Sequence, residues 1–326
     1  MRILVTGGAG FIGSHLVDAL LDRGHEVAMA DHLVRSPKPW FGEALLRGAQ
    51  LYVADVRELN AIRPAFSAAR PEIVLHLAAQ ADVRHSVSDP SFDAQVNVAG
   101  TVAVLEAARE VGTRRVVMAS TAAVYGDPAE VPTGEEAPIA PLSPYGASKA
   151  VAEWYLAQYQ RLYGISTLAL RMANVYGPRQ DPHAEAGVVS IFCGTAASGG
   201  RATVFGNGAQ TRDYVFVEDV VAAWLAAAAS EVTGALNLST GIETSVRELA
   251  EVLDLSYDFA PERAGEIERS CLDASAATEH LGWRPAVPLE NGLRRTLGAV
   301  SPEVSPMSPA PPARDAGEPA TTQPRG

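Results

Sequence analysis

Lysine is almost missing from this sequence: of its 26 basic residues only Lys38 and Lys149 are lysines, and arginine supplies the rest. A lysine kept in such a chain asks for a chemical reason, because a compact ammonium and a planar guanidinium are not interchangeable. Cysteine is just as scarce. Cys193 and Cys271 are too few for a disulfide framework or a thiolate metal site, so buried free thiols and no metal are expected. Positive charge is in deficit, with 38 acidic residues against 26 basic ones, a net −12, and no basic block, which argues against a nucleic-acid partner. No apolar run approaches the roughly 18 residues of a membrane span. Met1 to Thr6 run straight into a glycine turn without a cationic leader, so no membrane partner and a cytoplasmic location are expected.

What is present is a globular composition, 326 residues with 47% hydrophobic content, enough for one large or two ordinary domains. Short apolar runs at Arg2 to Thr6, Glu26 to Asp31, Leu51 to Ala54, Ile73 to Ala78, Arg115 to Ala119 and Thr167 to Arg171 read as strands. Between them Phe11 to Arg23, Asp93 to Val111 and Tyr145 to Tyr163 have helical spacing. That alternation predicts an α/β fold, a doubly wound parallel sheet with helices on both faces. Past Asn174 prolines and glycines break the pattern into shorter elements, a smaller substrate lobe interleaved with the first through Val217 to Ala229. The expected division is 1–173 for the nucleotide-binding domain with returning segments near 214–240, and 174–298 for most of the second lobe. Residues 299–326 are expected to be a disordered proline-rich tail.

The first strand ends at Thr6, and Gly7, Gly10 and Gly13, with Phe11 and Ile12 between them, lead into the helix. In such a turn the glycines permit a tight bend, close approach of a pyrophosphate, and close packing of helix on strand, with the phosphates at the positive helix end. Asp31 closes the second strand and would accept hydrogen bonds from the adenosine ribose, selecting NAD over NADP, although Arg35 lies near enough to blur that choice. Asp55 and Val56, after the third strand, could cap the adenine; a plain turn aspartate fits equally.

Tyr145 and Lys149 stand four apart at the start of a predicted helix and so share one face. An ammonium beside a phenol favours the phenolate and draws its pKa from about 10 towards neutrality, which a general base requires. Thr121, just beyond the fifth strand, can supply a hydroxyl to the same substrate oxygen.

Several separated motifs together resemble the extended short-chain dehydrogenases/reductases that act on nucleotide sugars, the NAD-dependent epimerase/dehydratase family, over residues 1 to 298. They are the TGGxGFIG turn at Thr6 to Gly13, Thr121 ahead of Val124-Tyr125-Gly126, and YxxxK at Tyr145 and Lys149. The resemblance implies a Rossmann domain, NAD as cofactor and a catalytic set of Thr121, Tyr145 and Lys149. It further implies that Leu77, Ala78, Ala79 and Gln80 line the nicotinamide side and that Asn97 is the family's helix asparagine. Dehydratases of this family place Asp-Glu after the catalytic threonine, and decarboxylases a glutamate at the second position; here Ala122 and Ala123 stand there, and alanine has no proton to give.

The resemblance is then nearest to the 4-epimerase branch acting on UDP-glucose and UDP-galactose, through Leu170 to Pro182 and Glu185 to Val189. It implies a UDP-sugar held by Asn174, by Val188, Val189 and Phe205 around the base, by Arg212 and Arg263 on the pyrophosphate, and by Glu266 on the ribose. Thr121 would also touch the sugar. The reaction implied is C4 inversion through a 4-keto sugar, with the hydride lent to NAD and returned. Met172 and Thr121 depart from the branch's usual aromatic residue and serine. Ser270 falls at its bulky gatekeeper, leaving room for a 2-acetamido group. Arg84 and Arg179 could instead meet a carboxylate, so a UDP-glucuronate 4-epimerase or decarboxylase is the alternative; a net reductase comes third, and a non-catalytic NAD-sensing scaffold is the reading from another class. The two long helices imply a homodimer by the same resemblance.

Overall fold

The structure, a computed structural model, describes residues 1–34, 40–182, 187–263 and 267–300. The chain opens with β1 (Arg2–Thr6), α1 (Phe11–Asp22), β2 (Glu26–Asp31), α2 (Trp40–Leu46), β3 (Gln50–Val53), α3 (Leu59–Ala69) and β4 (Ile73–His76). After these come α4 (Val83–Ser88), α5 (Pro90–Ala94), a π-helical turn (Gln95–Ala99), α6 (Gly100–Val111), β5 (Arg115–Thr121), α7 (Pro144–Tyr163) and β6 (Ser166–Met172). β1, β2 and the helix at Val217–Ala229 have the bounds read from the sequence. Two expectations are corrected. The fourth strand stops at His76 rather than Ala78, because from Leu77 the chain turns away along the carboxyl edge of the sheet. The helix expected from Asp93 begins at Pro90, where Asp89 caps the Phe92 amide and proline suits the first helical position, and its ladder is interrupted by the π turn.

Alternate residues of the inner strands feed two different cores. Ile3 and Val5, Val27 and Met29 pack with Leu16, Leu20 and Trp224 on one face of the sheet. Leu4, Ala28 and Ala30 pack with Phe66, Val104 and Leu156 on the other. A strand buried on both sides belongs in a parallel sheet covered by helices on each face. α7 is fixed at both ends by local chemistry: the Ser143 hydroxyl accepts from the Gly146 amide, Pro144 follows, and Gly164 closes the helix in the left-handed conformation.

The rest of the chain runs β7 (Asn174–Tyr176), α8 (Val188–Ala197), β8 (Ala202–Phe205), β9 (Thr211–Arg212), β10 (Tyr214–Phe216), α9 (Val217–Ala229) and β11 (Gly234–Leu238). It closes with β12 (Thr244–Ser245), α10 (Val246–Val252), β13 (Tyr257–Ala260), β14 (Arg269–Ser270), α11 (Ser275–Leu281) and α12 (Leu289–Ala299). The main sheet is a seven-stranded parallel one in the order β11-β6-β5-β4-β1-β2-β3, so β11 returns from the later half of the chain to pair with β6. Arg115, fully buried on β5, holds α9 there by donating to Ala227 O and Val232 O. The short strands from β7 onward outside this sheet surround a third core of Tyr176, Phe192, Val204 and Phe216. Strand order reverses between β1 and β4, and in such sheets the crevice beyond the carboxyl ends at the reversal is where ligands bind. Among the described residues no helix is long and apolar enough to cross a membrane. α12 reaches Ala299, within the stretch expected to be tail; residues 301–326 lie outside the described residues.

Candidate active site

The glycine turn sits at that reversal. A side chain on Gly13 would run into the Gly7 carbonyl oxygen, so only glycine lets α1 press this closely on the end of β1. Gly10 caps α1 without any side-chain cap, and the first turn holds no acidic residue to neutralise the positive helix end. Asp31, 8% exposed at the end of β2, accepts from the Ala9 amide at 3.0 Å and the Leu33 amide at 2.9 Å. A cradle open to an anion beside a strand-end carboxylate fits a dinucleotide. Asp55 is different: its carboxylate is forked by Arg57 at 2.6–3.1 Å, which holds it below the usual range, and Val56 is buried against Gly100. Asp55 is thus paired within its own turn, while the Val56 side chain belongs to the core. Arg35 lies outside the described residues.

At the carboxyl end of β5, which runs two residues past the expected Ala119, and on α7 the three expected catalytic residues come together. Gly146 makes this possible, since a Cβ there would strike the Ala123 carbonyl oxygen, and α7 thereby seats its first turn against Ala122–Val124. Tyr145 is half-buried, and the Thr121 hydroxyl, which accepts from the Ala123 amide at 3.1 Å, is near enough to its phenol to favour the ionised form. Lys149, 3% exposed, donates to Ala119 O on β5 at 3.0 Å. Burial drives the Lys149 ammonium down to about 8, opposed by the carboxylates of Asp93 and Glu153. Burial pushes the Tyr145 phenol up to about 12, with the Thr121 hydrogen bond working the other way. The sequence-based expectation of a phenol already drawn towards neutrality is therefore corrected for the protein alone: desolvation, with the Asp93 carboxylate adding to it, outweighs the influence of Thr121.

Leu77, Ala78 and Ala79 lie half-buried along the edge after β4, but the Gln80 side chain does not face the crevice. It is 1% exposed and ties Asp82 and Asp93 together, while Asn97 pairs with the Gln80 backbone in both directions at 2.9 Å. Asn97 also donates to Ser148 Oγ, which in turn donates to Tyr145 O. Deeper still, His76 bridges Thr6 Oγ1 at 2.7 Å and Thr101 Oγ1 at 3.0 Å, and burial and Lys149 hold it down to about 3. Behind Thr121, Ser120 donates to Glu153, which forms a buried ion pair with Arg171 at 2.7 Å. Sequence reading missed Asp93, His76, Glu153 and Arg171. For Asp93 and Glu153 the signal was present, since they stand four residues from Asn97 and Lys149 on the same helical faces.

The second lobe supplies the remaining candidates. Asn174 is exposed on β7, its amide held by Asp213 O. Arg212 is half-buried on β9, beside β14 and the half-buried Ser270. The Arg263 guanidinium lies 3.6 Å from the Phe205 ring centroid, bringing cation and aromatic face together. Asp213 organises this side: it is buried and accepts from the Thr240 amide and hydroxyl and the Gly241 amide. Val188 is half-buried, but Val189 is 2% exposed within the third core, so its side chain packs inward instead of passing beside a base. Arg84 is 73% exposed with a single 3.8 Å contact to Asp82, so nothing directs it to the crevice. Arg179 is held by Asp18 at 2.8 Å and lies over Trp40. Glu266, Glu185 and Ala186 lie outside the described residues.

A model of the family described as NAD dependent epimerase/dehydratase matches residues 3–238. The UDP-glucose 4-epimerase of Mycolicibacterium smegmatis is 46% identical over 91% of this chain and 97% of its own length. Among solved structures, the UDP-glucose 4-epimerase of Thermotoga maritima with UDP-glucose superposes with a TM-score of 0.87 at 42% identity, covering 92% of this chain and 98% of that one. The Thermus thermophilus UDP-glucose 4-epimerase in complex with NAD gives 0.85 at 43% identity with the same coverage.

Proposed function

This chain belongs to the NAD dependent epimerase/dehydratase family, and from that premise we infer that it inverts the C4 hydroxyl of a UDP-hexose of the UDP-glucose and UDP-galactose kind. It is an NAD-dependent nucleotide-sugar 4-epimerase. The observation that carries the assignment of its chemistry is the placing of Thr121 at the carboxyl end of β5 and of Tyr145 and Lys149, one turn apart, at the start of α7, with Gly146 pressed on Ala123 and Lys149 bonded to Ala119 O.

Gly7, Gly10, Phe11, Ile12, Gly13 and Asp31 would hold the dinucleotide, with Leu77 to Ala79 along its nicotinamide side. When bound, NAD would supply a reversible hydride acceptor for the sugar C4, so that inversion through a 4-keto sugar would need no net oxidation. Tyr145 removes the proton from the 4-hydroxyl and gives it back. Thr121 shares that hydrogen bond and fixes the oxygen between them, and Lys149, its stem buried and anchored on Ala119 O, places a positive charge that lowers the cost of the phenolate. Arg212 and Arg263 anchor the pyrophosphate, Phe205 and Val188 flank the base, and Asn174 contacts the sugar diphosphate. The small Ser270 leaves room for a 2-acetamido substituent. A carboxylate-bearing substrate has less support, since Ala123 offers no acid and Arg179 is already engaged by Asp18.

The same reading divides the chain into a nucleotide-binding domain of residues 1–173 with returning segments near 214–240, and a substrate domain over most of 174–298. It takes the protein as a homodimer through α7, whose outer face carries Trp154 and Leu162, each 61% exposed, two turns apart. The two buried free thiols fit a reducing, cytoplasmic setting. Purified protein is expected to convert UDP-galactose to UDP-glucose without a cofactor-regenerating system, with product followed by NMR. Tyr145→Phe is expected to retain the fold and lose activity by about 10²–10⁴-fold. Failure with every common UDP-hexose at confirmed NAD occupancy would exclude the activity, and unchanged turnover in Tyr145→Phe would exclude the base.

A further inference from the structure

Asp93 is an acid in an unusual place. It is 1% exposed on α5, packed against α7, immediately before the π turn. One carboxylate oxygen accepts from Gln80 Nε2 at 3.0 Å and Asn97 Nδ2 at 3.1 Å. The other, Oδ2, is buried and has no hydrogen-bond partner among the described residues. Leaving a carboxylate oxygen dry and unpaired costs stability unless a nearby positive charge compensates. The cation within its electrostatic reach is Lys149, and Tyr145 lies within that reach too.

We propose that Asp93 is a positioning residue for the epimerisation: one oxygen locks Gln80 and Asn97, and the other supplies a fixed negative charge beside the Tyr145–Lys149 pair. This rests on the 4-epimerase reading above. The field of that charge acts on both members in the same sense, opposing the fall of Lys149 and adding to the rise of Tyr145, so the pair holds its protons more tightly. The other groups facing the pair leave Asp93 as the adjustable charge. Glu153, on α7 itself, also opposes the fall of Lys149 but is shared with Arg171 of β6; His76 of β4, held near 3, stays neutral. Thr121 of β5 contributes a hydroxyl, Asn97 of the π turn an amide, Glu106 of α6 binds Tyr159 further along α7, and on α4 Arg84 is solvent-exposed while His85 stacks on Phe92.

The test uses the NAD-loaded full chain and the pH dependence of kcat/KM for UDP-galactose. Asp93→Asn keeps an acceptor oxygen for Gln80 and Asn97 but removes the charge. Its acid limb, where the base must lose a proton, is expected to move to lower pH by roughly one unit, the scale of losing one neighbouring charge. Asp93→Glu keeps the charge and is expected to keep the wild-type limb, and it also serves if Asp93→Asn fails to fold. A limb in Asp93→Asn coincident with wild type, or one in Asp93→Glu displaced to lower pH, overturns the proposal. A purely structural role would lower activity without moving the limb. Wild-type conversion of UDP-galactose is the internal control: its absence would fail the 4-epimerase reading, whereas an active wild type with an unmoved Asp93→Asn profile fails only the role of Asp93.

Discussion

Arg171→Met should destabilise this protein far more than removal of any exposed arginine. Arg171 and Glu153 are each 9% exposed in their side chains, joined at 2.7 Å, with a second guanidinium nitrogen at 3.0 Å from the same carboxylate. Arg171 also donates to the Tyr125 hydroxyl at 2.8 Å, and Tyr125 passes the chain on to Asn237 of β11. Removing the arginine alone strands the Glu153 carboxylate in the core, with the Ser120 hydroxyl as its remaining donor; breaking a buried pair in this way costs about 3–5 kcal/mol. With an unfolding entropy near 2.1 cal/mol/K per residue, about 0.6 kcal/mol/K for a unit of some 300 residues, that is a fall in Tm of about 5–8 °C. The double substitution Arg171→Met with Glu153→Leu removes both charges, and should recover at least half of the loss, because matched apolar side chains can replace a buried pair at little cost. Urea unfolding followed by circular dichroism reads all three proteins. A loss below about 1 kcal/mol for Arg171→Met, or a double variant less stable than the single one, would refute the reasoning. By comparison, removing Arg201, whose pair with Asp258 is exposed at 57% and 67%, should change stability far less, because solvent screens it.

Gly13→Ala should lose resident NAD, because the added carbon meets the Gly7 carbonyl and forces α1 off the strand; overpacking of about 1–3 kcal/mol corresponds to roughly 10–100-fold weaker binding, read as the dinucleotide released on denaturing the purified protein. Arg263→Ala should raise KM for the UDP-sugar by about 10–100-fold with kcat changed only a few-fold, since a charge-assisted hydrogen bond is worth about 1.5–3 kcal/mol; an unaltered KM would remove Arg263 from the pyrophosphate site. Lys149→Met should abolish turnover yet narrow a stability deficit. In the native protein Lys149 is held down to about 8 against an ordinary 10.5, so the unfolded chain binds its proton more readily between those values, and wild-type stability rises with pH across that window. The shift corresponds to a few kcal/mol at most, and the variant should lack the rise when urea unfolding is compared at pH 7 and pH 10.

Local chemistry was enough to read the elements that frame the candidate nucleotide end of the site. A glycine turn, a strand-end acid and the Ser143-Pro144 start of α7 act within a few residues of themselves, and β1, β2 and α9 fell where their apolar periodicity put them. Tyr145 and Lys149 were legible for the same reason, because a spacing of four on a helix fixes a shared face whatever surrounds it. What could not be read was every property that depends on which groups are buried next to each other. Thr121 at a strand end comes near Tyr145 on a helix; the charge of Asp93 is felt by Lys149 from another helix; Glu153 finds Arg171 on β6. Val189 was placed at the base by resemblance, yet it packs into a core; Asp55 was read from its place after the third strand, with no sign that Arg57 would pair with it. The proton affinity of Tyr145 and Lys149 belongs to the same class: residue identity supplies a phenol and an amine, but only the packed interior, by excluding water and bringing carboxylates near, decides how tightly each holds its proton.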